Sequence, residues 1–236
     1  MENPIKKPLF VEFYGLPGCG KSTISHRVAS KLRDEGYRVD EPSYDIDRNC
    51  SPFVRKLNKL FVYFSWFVFH INTFKNVNAI VGRNGYSGIA KIEQISNVLQ
   101  KISVYRDIRQ NRIVIWDQGV AQASISLSLK GVINAGENLY SLLNIIYSDV
   151  EIKYVLISVD EKVALERMSQ RQTNDSRVEK LKDDNQKHEM MSRFQQEIDV
   201  INKGNAGIVI DGMLDIEKQV GKISDAILCA VRNEFS

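Results

Sequence analysis

The chain has 236 residues, of which 43% are hydrophobic and 26% are charged, and its net charge is +3. A chain of this size buries a sufficient core without disulfides or structural metal. The balanced charge gives no reason to expect a nucleic-acid partner or an anionic membrane surface. Three widely spaced cysteines argue against a disulfide framework or a zinc site and favour a reducing cytoplasm.

Short apolar runs alternate with longer stretches of helical periodicity. Strands are predicted at residues 9–14, 37–40, 112–116, 154–159 and 207–210. Their unbroken Val and Ile runs are typical of strands buried on both faces of a parallel sheet. Helices are predicted at residues 21–35, 139–147, 161–170, around 190–201 and at 216–231, with several more in 52–110 separated by loops around Asn76 and 82–88. The pattern predicts one α/β domain over residues 1–236.

Residues 15–22 (GLPGCGKS) match the phosphate-loop pattern G-x-x-x-x-G-K-[S/T] between a predicted strand and a predicted amphipathic helix. The glycines let successive N–H groups face phosphate oxygens, and the helix N-terminus adds partial positive charge. We expect Lys21 to reach the β- and γ-phosphates and Ser22 to ligate Mg²⁺. The residues expected to hold ATP with Mg²⁺ are Gly15, Leu16, Pro17, Gly18, Cys19, Gly20, Lys21, Ser22 and Thr23. The fold class expected is therefore a three-layer α/β/α P-loop NTPase fold with a central five-stranded parallel sheet and a helical lid.

The most apolar window of the chain is residues 60–71 (LFVYFSWFVFHI). Twelve residues are too short to span a bilayer as a helix, and no segment of the N-terminus has the pattern of a signal peptide. No transmembrane segment is therefore predicted. A buried helix is the favoured interpretation, and a dimer interface or an interfacial membrane contact are the alternatives.

Asp117 ends an apolar run, residues 113–116, that is predicted to be a strand. In P-loop enzymes an acid in this position holds Mg²⁺ directly or through water. Asp117 is therefore predicted, with Ser22, to be the metal-side or catalytic acid. The alternative is that Asp117 caps the helix that follows.

Three arginines, Arg167, Arg171 and Arg177, lie in the predicted lid of residues 167–178. Arg167 and Arg171 are four residues apart and share a helix face, where like charges repel unless an anion lies between them. Phosphoryl transfer requires positive charge near the moving group and exclusion of water, and arginines on a closing lid supply both. The alternative is a solvated helix in which Asp175 pairs with Arg171.

These segments resemble thymidylate kinase and related nucleoside and nucleoside-monophosphate kinases. Residues 10–23 resemble the opening of that family, and residues 155–177 resemble its strand, lid helix and lid, with an R-x-x-x-R pair and a closing Ser-Arg. Residues 114–127 (VIWDQGVAQASISL) lie where thymidylate kinases carry Asp-Arg-Tyr. Residues 38–45 (RVDEPSYD) lie where deoxynucleoside kinases carry Glu-Pro with a catalytic glutamate. The residues expected to take part in phosphoryl transfer are Lys21, Asp117, Glu41, Arg167, Arg171 and Arg177.

Two departures from the family concern the phosphoryl acceptor. Gln118 follows Asp117 where the family has an arginine, and Asp40 replaces the arginine before Glu41. Two arginines that would bind a phosphate are missing, so a neutral hydroxyl acceptor, such as a nucleoside, a sugar or another small alcohol, gains weight over a nucleotide. The helical region of about 50–110, which is expected to form much of the acceptor pocket, matches no family pattern.

Further candidates line the expected acceptor side. The resemblance implies that Glu41 is the general base, with a strand-end carboxylate without chemistry as the alternative and with Asp45 and Asp47 as competitors. Candidates for an anionic acceptor, each with a surface role as the alternative, are Arg83, Arg106 and Arg109. Candidates for reading a base or sugar, each with a helix-start role as the alternative, are Gln118 and Gln122.

Taken together, the sequence predicts a cytoplasmic kinase that binds ATP, Mg²⁺ and a small-molecule acceptor, and a homodimer stays open. A P-loop switch or regulatory protein is the alternative, but a GTPase would need an Asp after the Asn-Lys of residues 202–203, and residue 205 is Asn. A nucleic-acid motor is disfavoured by the near-neutral charge.

Overall fold

The computed structural model describes residues 8–43, 52–106, 112–146, 151–170, 176–205 and 207–233. The strands are β1 (Leu9–Tyr14), β2 (Val39–Asp40), β3 (Ile113–Trp116), β4 (Glu151–Ser158) and β5 (Ile208–Asp211). The longer helices are α1 (Lys21–Asp34), α2 (Pro52–Phe69), α3 (Ile71–Arg83), α4 (Gly88–Arg106), α5 (Val120–Ser128), α6 (Ala135–Leu143), α7 (Glu161–Ser169), α8 (Asp184–Gly204) and α9 (Ile216–Asn233).

The five strands form one parallel sheet in the order β2-β3-β1-β4-β5. Helices α1 and α9 pack against each other and on the sheet, while α5 packs on β1 and is surrounded by α4, α6 and α8. The predicted fold class is confirmed. Because β1 lies between β3 and β4, the loops after these three strands meet at the carboxyl edge of the sheet, where ligands of open α/β sheets bind.

Strand β4 begins at Glu151 and not at residue 154, and β2 begins at Val39 and not at residue 37. Two helix predictions are also wrong, each for a local reason. Asn76 lies inside α3 and not in a loop, because Phe74, Val77 and Ile80 keep helical spacing and are buried against neighbouring helices. The break lies instead at His70, between α2 and α3. The helix predicted at 139–147 begins earlier, at Ala135, since the Asn134 side chain accepts a hydrogen bond from the Glu137 N–H and caps it. Residue 147 lies outside the described residues.

The favoured interpretation of residues 60–71 as a buried helix is wrong. Phe61 and Phe64 are 72% and 61% exposed, whereas Trp66, which is 6% exposed, packs inward and donates its Nε1–H to Ser103. The physical reason is that α2 packs on α3 and α4 along one side and leaves its other side to solvent. Among the described residues, no helix has the length and apolarity needed to cross a membrane.

Candidate active site

The phosphate loop joins the end of β1 to the start of α1 through a backbone whose tight turns depend on glycine. Gly15 and Gly18 have φ values of +146° and +85°. A β-carbon on Gly15 would lie 2.6 Å from the carbonyl oxygen of Ile157 at the end of β4, and one on Gly18 would collide with the carbonyl of Ala164 in α7. The loop is therefore held tightly between β4 and α7, and the uncapped start of α1 faces the space that an anion would occupy.

Lys21, the first residue of α1, bends back over this loop. Its Nζ donates to the carbonyl oxygens of Gly15 at 2.9 Å and Leu16 at 2.8 Å. These bonds place the ammonium group at the mouth of the loop. A phosphate oxygen that entered the loop would compete for the same donor.

Ser22 and Asp117, which the sequence predicts to share a metal ion, lie in direct contact. The Ser22 hydroxyl donates to Asp117 Oδ2 at 2.5 Å. The other carboxylate oxygen of Asp117 is buried and has no hydrogen-bond partner among the described residues. A hydroxyl beside an unsatisfied carboxylate oxygen fits Mg²⁺, which is held in phosphate sites by one or two protein oxygens together with substrate phosphates. The residues present therefore fit the ion.

The alternative reading of Asp117 as a helix cap does not hold, because another acid caps α5. Glu12, a fully buried residue of β1, accepts the N–H groups of Val120 and Ala121, both at 2.8 Å. A β-carbon on Gly119 would collide with the Glu12 carboxylate, so the turn that follows Asp117 lies directly on it. Burial raises the pKa of Glu12 to about 7 despite these two backbone hydrogen bonds.

A partly exposed cation contacts the same turn. The ammonium group of Lys101, on α4, donates to the carbonyl oxygen of Gln118 and lies 5.3 Å from the ring centroid of Trp116. Desolvation lowers the pKa of Lys101 to about 8, although the negative charges of Glu12 and Asp117 act to raise it. The turn that carries Asp117 thus contacts both the Glu12 carboxylate and the Lys101 ammonium group.

Glu12 and Lys101 were not predicted from the sequence. A signal for Glu12 exists, because the β1 sequence LFVEFY has one acid in a strand that is otherwise apolar and central. An acid in such a place requires donors, and the N-terminus of a neighbouring helix is a ready source. Lys101 lies in a helix of ordinary composition and gives no comparable signal.

The acids at the end of β2 are paired with cations. Glu41 is buried, and its carboxylate accepts from Arg33 Nη1 at 2.7 Å and lies 2.9 Å from His26 Nδ1. Asp40 pairs with Arg112 at 2.8 Å. Glu41 thus lies in an ion pair that joins β2 to α1. This is the arrangement expected if Glu41 is a strand-end carboxylate without a chemical role.

The lid residues lie in two places. Arg167 donates to the carbonyl oxygens of Cys19 at 3.3 Å and Gly212 at 3.0 Å, so it joins the phosphate loop to the turn after β5. Arg177 instead donates weakly, at 3.4 Å, to the carbonyl oxygen of Ser126 in α5. Arg167 is thus brought to the phosphate loop, whereas Arg177 contacts a neighbouring helix.

The predicted residues Arg171, Asp175, Asp45, Asp47 and Arg109 lie outside the described residues. Arg83 is exposed and lines a cavity of about 530 Å³ whose walls come from α6, α8 and the segment before α6. Arg106 lies 5.0 Å from the ring centroid of Trp66.

The two glutamines that could read an acceptor differ in exposure. Gln118 is exposed, next to the Asp117 carboxylate. Gln122, one turn into α5, has a buried Oε1 without a hydrogen-bond partner among the described residues. An unsatisfied buried acceptor is what a ligand hydroxyl or amide would complete, so Gln122 is the better placed of the two.

A scan against family models matches residues 10–196 to the AAA domain family. No curated protein matches the chain in a sequence search. Solved structures with a similar fold include deoxyadenosine kinase from M. mycoides with the products dCMP and a flexible dCDP, at 16% identity and a TM-score of 0.53, covering 94% of this chain and 99% of that one. The same enzyme with bound dCTP gives 16% identity and a TM-score of 0.52, covering 93% and 99%. The predicted resemblance to P-loop nucleoside and nucleotide kinases is thereby confirmed in the fold.

Proposed function

This chain belongs to the AAA domain family, and we propose that it is a cytoplasmic, ATP- and Mg²⁺-dependent kinase of the thymidylate and nucleoside kinase-like type. The γ-phosphoryl group would pass to a nucleotide, a nucleoside or another small hydroxyl acceptor. The observation that carries this proposal is the 2.5 Å contact of Ser22 with Asp117 beside a complete phosphate loop. The fold shared with deoxyadenosine kinase supports it.

The triphosphate would bind to residues 15–22, with the loop N–H groups on its oxygens and Lys21 on the β- and γ-phosphates. Ser22 and Asp117 would hold Mg²⁺, which supplies charge neutralisation on those phosphates when bound. In such a reaction the protein contributes position and fixed charge rather than covalent chemistry. The supports beneath Asp117, namely Glu12 and Lys101, serve this end because they fix the turn that carries it.

Arg167 is proposed to close the nucleotide side of the site. Its guanidinium already joins the phosphate loop to the turn after β5. Arg171 and Arg177 are proposed to act on the transferred group when the lid closes over it. In this proposal Arg177 must leave its long contact with α5, which is a weak one.

The acceptor we favour is a neutral hydroxyl compound. Asp40 stands where the related kinases carry an arginine, and its carboxylate is bound to Arg112. Gln118 replaces the second arginine, and Gln122 offers an unsatisfied buried oxygen nearby. The pairing of Glu41 with Arg33 favours an anchoring role over the general-base role that the resemblance implies for it.

A screen of ADP release over nucleosides, nucleoside monophosphates and sugars tests the proposal. We expect one class of acceptor to stimulate ADP release, and Lys21→Ala to lose at least about 100-fold of that rate. Lys222→Ala, at an exposed position of α9, is the matched control and should keep it. Full acceptor-dependent activity in Lys21→Ala would show the proposal to be wrong. ATP hydrolysis that no acceptor stimulates would favour a P-loop switch instead.

A further inference from the structure

The side of α2 that faces solvent is a continuous apolar surface. Six large apolar side chains, spaced three or four residues apart, share this side and are all more than a third exposed. We call this surface the outer face of α2, and its residues are Leu57, Leu60, Phe61, Phe64, Phe67 and Val68. Apolar residues scattered singly over a surface are ordinary, whereas a contiguous set with three phenylalanines indicates a partner.

The charge of this molecule is balanced in total but not in distribution. Residues 52–106, which form α2, α3 and α4, contain eight of the 32 Lys and Arg residues and only one of the 29 Asp and Glu residues, Glu93. The helical region is therefore strongly basic, while the remainder of the chain is acidic. Among the basic residues described, Lys75 and Arg83 are exposed and Lys59 and Lys91 are partly exposed.

The combination of charge and apolarity discriminates between the candidate occupants of the outer face. A two-fold dimer through α2 would bring two copies of the same basic region together, and like charges across an interface oppose association. An anionic lipid surface attracts the same charges and accepts Phe and Leu side chains at the boundary between headgroups and acyl chains. The charge of the helical region thus favours lipid over a second copy.

We infer that the outer face of α2 docks this protein on the surface of an anionic lipid bilayer, whose negative charge attracts the basic region of residues 52–106. The contact is peripheral, and it needs no membrane-spanning helix. Helix α4, on which α2 packs, also carries Lys101 beside the Asp117 turn. Docking would therefore bring the acceptor side of the proposed active site close to the bilayer surface, with one layer of helices between them.

Vesicle co-sedimentation of the full chain tests the inference. One set of vesicles is phosphatidylcholine alone, and the other contains about one third phosphatidylglycerol. We expect the protein to sediment with the anionic vesicles and to stay in solution with the neutral ones. Raising the salt from about 0.1 M to about 0.5 M should weaken the binding several-fold, because exposed charges are then screened.

Two pairs of variants separate the apolar and the charged contributions. Phe61→Gln with Phe64→Gln should lower the fraction bound at least about tenfold, since two inserted rings are lost. Its control is Val132→Gln with Tyr140→Gln, two exposed apolar positions outside α2, which should bind like the wild type. Lys75→Glu should weaken binding, whereas Lys222→Glu on α9 should not. All these positions are exposed, and thermal unfolding of each variant checks that it is folded.

Three results would overturn the inference. The first is sedimentation with neither kind of vesicle, or with both equally. The second is equal binding by the Phe61/Phe64 variant and its Val132/Tyr140 control. The third, from light scattering during gel filtration, is a wild-type dimer that the Phe61/Phe64 variant dissociates, without vesicle binding; a second copy would then cover α2. None of these readouts depends on kinase activity, so failure of the proposed function would leave the test intact.

Discussion

Buried charge distinguishes the phosphate side of this molecule, whereas exposed apolar surface distinguishes the helical region of residues 52–106. At the phosphate side, Glu12 is removed from water beneath the turn that carries Asp117, and the partly exposed Lys101 contacts the same turn. In the helical region, Phe61 and Phe64 remain in water although they are among the largest apolar residues of the chain. Both arrangements invert the ordinary rule of burial.

The two regions differ in what offsets the free-energy cost of their unusual burial or exposure. The cost of burying Glu12 is offset inside the chain, by two backbone N–H groups at 2.8 Å and by the nearby ammonium group of Lys101. Nothing described in the chain offsets the exposure of the outer face of α2. A departure that is compensated internally serves a site within the molecule, whereas one left uncompensated points to a partner outside it.

The largest effect is expected from Asp117→Asn. The change removes the charge of the carboxylate that accepts from the Ser22 hydroxyl while keeping its shape. We expect kcat to fall roughly 100- to 1000-fold, the range seen when a fixed charge or donor is removed from a transition state. Steady-state kinetics over a Mg²⁺ titration measures it, and Asp225→Asn, exposed on α9, is the control. Activity of Asp117→Asn within about threefold of wild type would contradict the assignment.

Glu12→Gln is expected to change the pH dependence of stability. Burial raises the pKa of Glu12 from 4.5 to about 7, so the folded chain binds this proton more tightly than the unfolded chain does. The stabilisation from Glu12 is then complete below about pH 4.5 and is lost as the pH rises through about 7. At about 1.4 kcal/mol per pKa unit, the loss is at most about 3.5 kcal/mol.

Urea unfolding of wild type and Glu12→Gln between pH 4.5 and 7 measures this change. Lys101 stays charged in this window, because its pKa is about 8. The free energy of unfolding of the wild type should decline relative to that of the variant as the pH rises. For the control Glu93→Gln, at an exposed site on α4, the free energy of unfolding should change with pH as it does in the wild type. If the free energy of unfolding of Glu12→Gln also changes with pH as that of the wild type does, the carboxyl of Glu12 does not titrate in this range.

More of the phosphate side than of the helical region could be predicted from the sequence, for a physical reason. Residues 15–22 act through backbone geometry and a fixed spacing, and the contact of Ser22 with Asp117 follows once β1 and β3 are neighbours. By contrast, helical periodicity predicted α2 but not which of its sides would be covered. The same apolar residues suit a core or a surface, and only the packing of α3 and α4 decides between them. Glu12 falls between these cases, since its strand was predicted but its donors come from a helix more than a hundred residues away.

A smaller effect on the phosphate side is expected from Arg167→Ala. Arg167 joins the carbonyl oxygens of Cys19 and Gly212, so its loss should loosen both walls of the proposed nucleotide site. We expect the KM for ATP to rise about tenfold, the cost of one or two charged hydrogen bonds. Arg177→Ala should raise it less, since its described contact is long and exposed. Arg193→Ala, in an exposed pair on α8, is the control, and an Arg177 effect larger than that of Arg167 would reverse the assignment.

The smallest effect on catalysis is expected from Glu41→Gln, and it decides whether the end of β2 belongs to the site or to its scaffold. Glu41 is buried, and one of its oxygens accepts from Arg33, so the variant should lose roughly 1–3 kcal/mol of stability as that ion pair is broken. Its kcat should stay within about threefold of wild type if Glu41 only anchors β2 to α1, because an anchor does not touch the acceptor. A general base would behave in the opposite way, with a kcat lowered at least about 100-fold and a bell-shaped pH profile that loses its acidic limb.

Arg33→Ala separates the two cases further. It breaks the same ion pair but keeps the Glu41 carboxylate, which still contacts His26, so an anchoring Glu41 predicts that the stability losses of Arg33→Ala and Glu41→Gln are less than additive in the double variant. A catalytic Glu41 predicts instead that Arg33→Ala keeps turnover while Glu41→Gln loses it. Chemical unfolding and initial rates of the two single variants and the double variant therefore show whether the Glu41 carboxylate is catalytic or only anchors β2 to α1.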